Sequence, residues 1–182
     1  MDLYATVSVM VVTDGIDAYP AGMAVSSNDI THLRRCVELA REALTAGDEP
    51  FGSVLVDRSG RPIFEDRNRI SSGDHTRHPE LTIVEWAVAH LSPTERAAAS
   101  VYTSGEHCPM CAAAHAWVGL GRIVYAVSSA QLGAWREEWN APESPVAGLP
   151  INDVAPALRV EGPVDIFADE MKTMHRSSVD AT

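Results

Sequence analysis

His78, Glu80, Cys108 and Cys111 are residues whose types and spacing could act together. A Cys-x-x-Cys step within one helical turn places two thiolates on one ion, and a histidine completes the three protein ligands of a catalytic zinc, whose fourth position is left to water. Glu80, two residues past His78, is placed to sit beside that water without ligating the ion. Zinc lowers the pKa of a bound water to roughly 7, and a neighbouring carboxylate can take its proton and return it later. Pro79 and Pro109 suit the first turn of a helix. Both ligand sets therefore fall at helix N-termini, where the dipole favours thiolate and other anions. A rival set, Cys108, Cys111 and His115, would lie on one helix and leave Glu80 without a task. A non-catalytic zinc-stabilised binding protein is a second alternative, against which Glu80 speaks.

Composition narrows the partners. The chain has 182 residues, 46% hydrophobic and 21% charged, which is ordinary for one globular domain. With 14 Lys+Arg against 25 Asp+Glu, the net charge is -11. Affinity for a phosphate backbone needs a basic footprint, so a small neutral substrate is expected in place of nucleic acid. No run is apolar enough to span a bilayer, and Met1–Val12 lacks the positive flank of a signal peptide. The cytoplasm is the expected compartment. Three cysteines, two of them as the Cys108/Cys111 pair, fit a metal site better than a disulfide framework.

The elements follow from periodicity. Residues 1–27 read as an N-terminal extension, with a possible strand in "ATVSVMVV". Apolar residues then recur at helical spacing from Ile30 to Leu44, capped by Ser27 or Asn28 and stopped by Gly47. Cys36 lies on that stripe and reads as core. "SVLV" and "RPIFEDRNRI" form a hairpin about the turn Asp57–Gly60. A helix from Pro79, a strand at "SVYTS", a helix from Pro109 and a strand at "RIVYAVS" follow, an order that predicts parallel pairing with crossover helices. The remainder reads as a short helix at "AQLGAWREEW", a Pro-rich loop, a strand at "LRVEG" and a final helix within "PVDIFADEMKTMHR". Trp135 and Trp139 could stack on a ring or pack the core.

His78-Pro79-Glu80 followed by Cys108-Pro109-Met110-Cys111 resembles the cytidine deaminase-like superfamily, whose signature is H-x-E…P-C-x-x-C. "EPFGSVLVD", Asn68 and "YTSGEHCPMCAAA" look most like its branch of guanine deaminases, cytosine deaminases and tRNA adenosine deaminases. The resemblance implies a three-layer α/β/α sandwich around a mixed five-stranded sheet, with residues 28–182 as the deaminase domain. It further implies one catalytic Zn2+ per chain on His78, Cys108 and Cys111, with Glu80 as proton shuttle. The implied reaction is hydrolytic deamination of a free nucleobase or analogue (guanine-, cytosine- or triazine-like), with zinc-bound hydroxide attacking the amino-bearing carbon and ammonia leaving. Phe51 would line the base pocket and Asn68 would hydrogen-bond the base, against plainer readings as core filler and strand-end cap. A homodimer is implied, and deamination of tRNA adenosine is the alternative within the family. A second carboxylate is sought among Glu137, Glu138 and Glu143, with Glu143 preferred. Two departures stand out. His107 replaces the signature proline, which predicts a looser turn, and Pro79 stands where many relatives carry alanine. Proline has no N–H to donate. If relatives hold a ring carbonyl with that N–H, this chain must read its base differently.

Overall fold

The computed structural model describes residues 25–181, so the possible strand in "ATVSVMVV" lies outside the described residues. The first helix, α1 (Ser27–Thr45), is capped by Ser26, one residue earlier than the sequence suggests. The Asp29 N–H donates to Ser26 Oγ at 3.2 Å, and the Ser26 N–H donates to the Asp29 carboxylate at 2.7 Å. This reciprocal box satisfies donors that an N-terminus otherwise leaves orphaned. Ser26-x-x-Asp29 carries the box with aspartate where glutamate is usual.

Five strands form one sheet in the order β2-β1-β3-β4-β5: β1 (Gly52–Val56), β2 (Pro62–Arg67), β3 (Ser100–Gly105), β4 (Arg122–Val127) and β5 (Val160–Glu161). β1 runs antiparallel to both neighbours, whereas β3, β4 and β5 are parallel. Parallel neighbours need a crossover, and α4 (Pro109–Trp117) supplies the one from β3 to β4. The mixed α/β sheet expected from the resemblance is thus observed. "LRVEG" is reduced to the two residues of β5, bonded only at the sheet edge.

Strand alternation sorts side chains to the two faces. Val54 and Val56 pack with Leu33, Val37 and Ala40 of α1 and with Met171 of the C-terminal helix α7 (Ala168–Asp180). Leu55 and Val101 point the other way, to Ile83 and Ala87 of α2 (Pro79–His90). Each such fully buried aliphatic side chain contributes roughly 1.5–3 kcal/mol. Cys36 is in the first of these cores, as its position on the apolar stripe suggests, and burial raises its thiol pKa. α1 lies so close to the sheet that a Cβ on Gly52 would come 2.6 Å from the Cys36 carbonyl oxygen. That approach fixes the backbone next to Phe51.

The sequence reading lacks two short helices, α3 (Pro93–Ala98) and α6 (Ile151–Val154). The first had a readable signal, Ser92-Pro93-x-Glu95, which forms a full capping box. Between them in the chain lies α5 (Ser129–Glu138), the expected "AQLGAWREEW" helix. Arg122, at the start of β4, ties the layers together. It donates to Asp29 Oδ1 at 2.8 Å and to Glu161 Oε1 at 3.0 Å, while the Tyr102 hydroxyl donates to the same Asp29 oxygen at 2.6 Å. Among the described residues no helix is long and apolar enough to cross a membrane.

Candidate active site

The carboxyl ends of β3 and β4 open onto the N-termini of α2 and α4, the usual place for a site in a sheet with parallel strands. His78 is the N-cap of α2 and Cys108 the N-cap of α4. Pro79 and Pro109 occupy the first helical turn, where the missing N–H costs nothing. Cys111, one turn into α4, is fully buried. His78 Nδ1 lies 3.6 Å from Cys108 Sγ and 3.7 Å from Cys111 Sγ. A tetrahedral zinc with ordinary Zn–S and Zn–N bonds separates nitrogen and sulfur ligands by about 3.6 Å. These three residues are therefore a candidate metal centre whose donor set and spacing fit zinc. His115 does not compete, since among the described residues the three donors that lie within 4.8 Å of one another are those of His78, Cys108 and Cys111.

Electrostatics at the three ligands point the same way. The hydrogen bond from the Cys111 thiol, aided by His78 and opposed by burial, holds Cys108 down at about 4. The bond to Cys108 in turn outweighs burial and raises His78 to about 9, while Cys111, donating to Cys108 in a buried site, is shifted upward. A thiolate–imidazolium pair results, and a divalent cation would displace its protons.

Glu80 is buried beside the ligands. Its Oε1 accepts from the Thr103 hydroxyl at 2.9 Å, and the single proton of the Ser53 hydroxyl is shared between that oxygen at 3.2 Å and Thr103 Oγ1 at 2.9 Å. Its Oε2 faces the metal centre, 3.8 Å from Cys111 Sγ. Burial raises the carboxyl pKa against these hydrogen bonds. One oxygen is thus fixed by two hydroxyls on β1 and β3, and the other is turned to the place where a proton would move.

A cavity of about 810 Å³ lies over this corner, lined by His78, Glu80 and Cys108 at its floor and by Phe51 at its side. Phe51 packs on Gly105, where a Cβ would come 2.8 Å from the ring. Asn68 and Pro79 are both buried but are not among the lining residues. The Asn68 N–H donates to the Phe51 carbonyl at 3.0 Å, and its Oδ1 accepts from Ile70 at 3.1 Å, while Nδ2 has no partner. It is a strand-end cap whose amide nitrogen is left unpartnered. Glu137 and Glu143 line the cavity, whereas Glu138 pairs with Lys172 at 2.8 Å on the surface. Trp139 lines the cavity, whereas Trp135 packs against the α1-side core. The two rings stack on each other at 6.4 Å, and the core reading holds for Trp135.

The turn at His107 is the reverse of loose. The ring is 1% exposed and packs edge-on against His115 at 5.4 Å. Burial first, then the neighbouring His115 and His78, push its pKa well down.

Sequence reasoning missed two residues. Glu106, in the site loop, accepts from the Ser129 N–H at 2.8 Å and the Ile151 N–H at 2.9 Å, capping α5 and α6 together. His175, read as an ordinary surface or core histidine, lines the cavity from α7. Neither carries a local signal, because both act through contacts distant in sequence.

Residues 26–127 match the family model described as the cytidine and deoxycytidylate deaminase zinc-binding region. A probable cytosine deaminase of Schizosaccharomyces pombe is 33% identical over 110 residues, covering 59% of this chain and 65% of that protein. The guanine deaminase of Bacillus subtilis is 39% identical over 101 residues, covering 54% of this chain and 64% of that protein. The chain thus spans just under two thirds of the length of either relative. A solved structure of guanine deaminase from Nitrosomonas europaea superposes with a TM-score of 0.63 at 20% identity, over 87% of each chain, which is a likeness of fold.

Proposed function

We propose that this chain, which belongs to the family of the cytidine and deoxycytidylate deaminase zinc-binding region, hydrolyses an exocyclic amino group from a free nucleobase or a close analogue. The observation that carries the reading is the position of Glu80, which has one oxygen anchored by Thr103 and Ser53 and the other turned toward His78, Cys108 and Cys111. A structural metal site has no use for a buried carboxylate held in that way. When bound at those three residues, zinc would supply a Lewis acid that makes water nucleophilic near neutral pH.

The chain's own groups account for the proton movements. As the water oxygen bonds to the amino-bearing carbon, the ring C=N electron pair moves to the ring nitrogen, and Glu80 Oε2 carries one water proton to that nitrogen. It then carries the second proton, from the new hydroxyl, to the amino nitrogen; the exocyclic C–N bond breaks as the C=O bond forms, and ammonia leaves. Thr103 and Ser53 keep the carboxylate from rotating between the two transfers. Phe51 offers its ring to the substrate's face, and the unpartnered amide nitrogen of Asn68, set back from the cavity, is a donor for the base only if the substrate reaches past the lining residues.

The net charge of -11 supports a small substrate over tRNA. Pro79, with no N–H, removes one backbone donor from base recognition, so Pro79→Ala is expected to change the order of preference among bases. Equal kinetics for both proteins across the panel would remove that idea. The deciding experiment is ammonia release from the zinc-loaded chain on guanine, cytosine, adenine, aminotriazines, their nucleosides and tRNA. Turnover of a free base supports the reading. Turnover confined to tRNA, with strongly salt-dependent binding, would transfer the activity to nucleic acid, and zinc at one per chain with silence throughout would indicate a binding protein.

A further inference from the structure

We propose that His175 is a substrate-positioning residue whose Nε2 hydrogen-bonds a heteroatom at the edge of a ring lying against Phe51, and so helps set which amino-bearing rings the site accepts. The inference rests on the reading of the cavity as a base site and adds to it a specificity element from the C-terminal helix.

The case starts from hydrogen-bond accounting. Buried polar atoms are normally partnered, and one that is not calls for a reason. Among the described residues, buried side-chain nitrogens without a partner occur on Asn68, His107, His115 and His175. His107 and His115 face each other behind the metal ligands, and Asn68 is set back from the cavity. His175 alone of the four lines the cavity, and it is only 5% exposed. Its ring is held between two aromatics, edge-on to Phe51 at 5.0 Å and tilted to Trp135 at 6.4 Å. Packing against both rings holds the imidazole at the border of the cavity with Nε2 buried and unpartnered, so a ligand seated against Phe51 that reaches it would meet an unsatisfied nitrogen.

The chemistry of the group suits the task. Burial, with the charge of Arg136 adding to it, lowers the His175 pKa to about 3. The ring is therefore neutral across the working range, with one nitrogen donating and the other accepting. A neutral imidazole can read a ring N–H or a ring nitrogen without drawing in an anion. His175 meets Phe51 ring to ring, and both line the cavity. An unpartnered nitrogen next to an aromatic ring suits a planar heteroaromatic ligand, which is recognised by stacking on its face and hydrogen bonds at its edge.

The test uses the full chain loaded with zinc and measures binding of guanine, cytosine, adenine and melamine by equilibrium competition, alongside ammonia release. His175→Phe keeps the aromatic packing and removes the nitrogen, and His175→Gln returns an amide at the reach of Nε2. His175→Phe is expected to weaken the best-bound base by about tenfold, the effect of one buried hydrogen bond. KM should rise more than kcat falls, and His175→Gln should recover to within about threefold of wild type. His175→Asn, whose amide stops one bond short, serves as a second variant and should bind as weakly as His175→Phe. Unchanged binding by His175→Phe, or His175→Gln no better than His175→Phe, would overturn the proposal. A wild type that binds a base and shows this mutant series without releasing ammonia would refute the deaminase reading while leaving His175 standing. Ammonia release with an unresponsive series would do the opposite, and a wild type that binds no base would overturn both.

Discussion

The floor and the outer wall of the cavity are built in opposite ways. The floor comes from His78, Glu80 and Cys108, with Cys111 buried behind it, all at or near the first turns of two helices whose starts are set by proline. The wall comes from α5, the loop after it and α7, where Trp139, Glu143 and His175 are brought in by packing across the fold. Glu106 joins the two, lying two residues from Cys108 and capping both α5 and α6. The floor needs a fixed charge arrangement that short motifs can encode, whereas the wall needs only a shape and a few polar atoms. Under the proposed function, reaction type would be stored locally and recognition in long-range contacts.

Damage to the floor should have the largest effect. Cys111→Ala is expected to drop zinc from about one per chain to below about 0.1 and to reduce ammonia release to background, because three protein ligands are the minimum set for a catalytic zinc. Metal analysis on the purified variant checks this, and retained stoichiometric zinc would show that the ligand set is misassigned.

A change remote from both regions separates folding from chemistry. Against the cost of burial, hydrogen bonds from Arg122, Tyr102 and Ser26 hold the Asp29 carboxyl well below its usual range. A depressed folded-state pKa contributes stability that is present above the unfolded value of 3.8 and is lost as pH falls below it. Asp29→Asn should cost about 3 kcal/mol, lower Tm at neutral pH by about 9 °C, and flatten the acid limb of the stability curve. Its kcat at 25 °C should stay close to wild type. A variant with unchanged acid stability would show that this network contributes little.

The wall should respond in affinity. Phe51→Ala is expected to raise KM about tenfold with a smaller change in kcat, since it removes face contact with the substrate; steady-state kinetics on the best base decides. The smallest effect is expected at Glu143, where Glu143→Gln should lower kcat by about threefold if its carboxylate assists the leaving amine. Turnover equal to wild type would make Glu143 a solvated residue of the rim.

The same contrast explains what was legible in the sequence. The hairpin, α1, the two ligand-bearing helices and strands β3 and β4 follow from periodicity and from proline at helix starts. Glu80 was readable because its spacing from His78 puts both in one helical turn. The last third resisted because β5 has only two residues and α6 only four, too short for a period to emerge. Glu106 and His175 were invisible for a related reason, since their partners lie 23 or more residues away for Glu106 and on β1's approach and α5 for His175. His107 misled in the other direction. Its departure from the signature proline suggested looseness, but a buried imidazole packed on His115 fills the space.

The most direct test of the central claim is ammonia release by Glu80→Gln compared with wild type at matched zinc content, on the base that wild type turns over best. The amide keeps the shape of the side chain and can still meet Thr103 and Ser53, but it cannot shuttle a proton. One zinc per chain in both proteins and a fall in kcat of about 10² to 10⁴ are expected. Turnover within about twofold of wild type, with zinc equally bound, would contradict it.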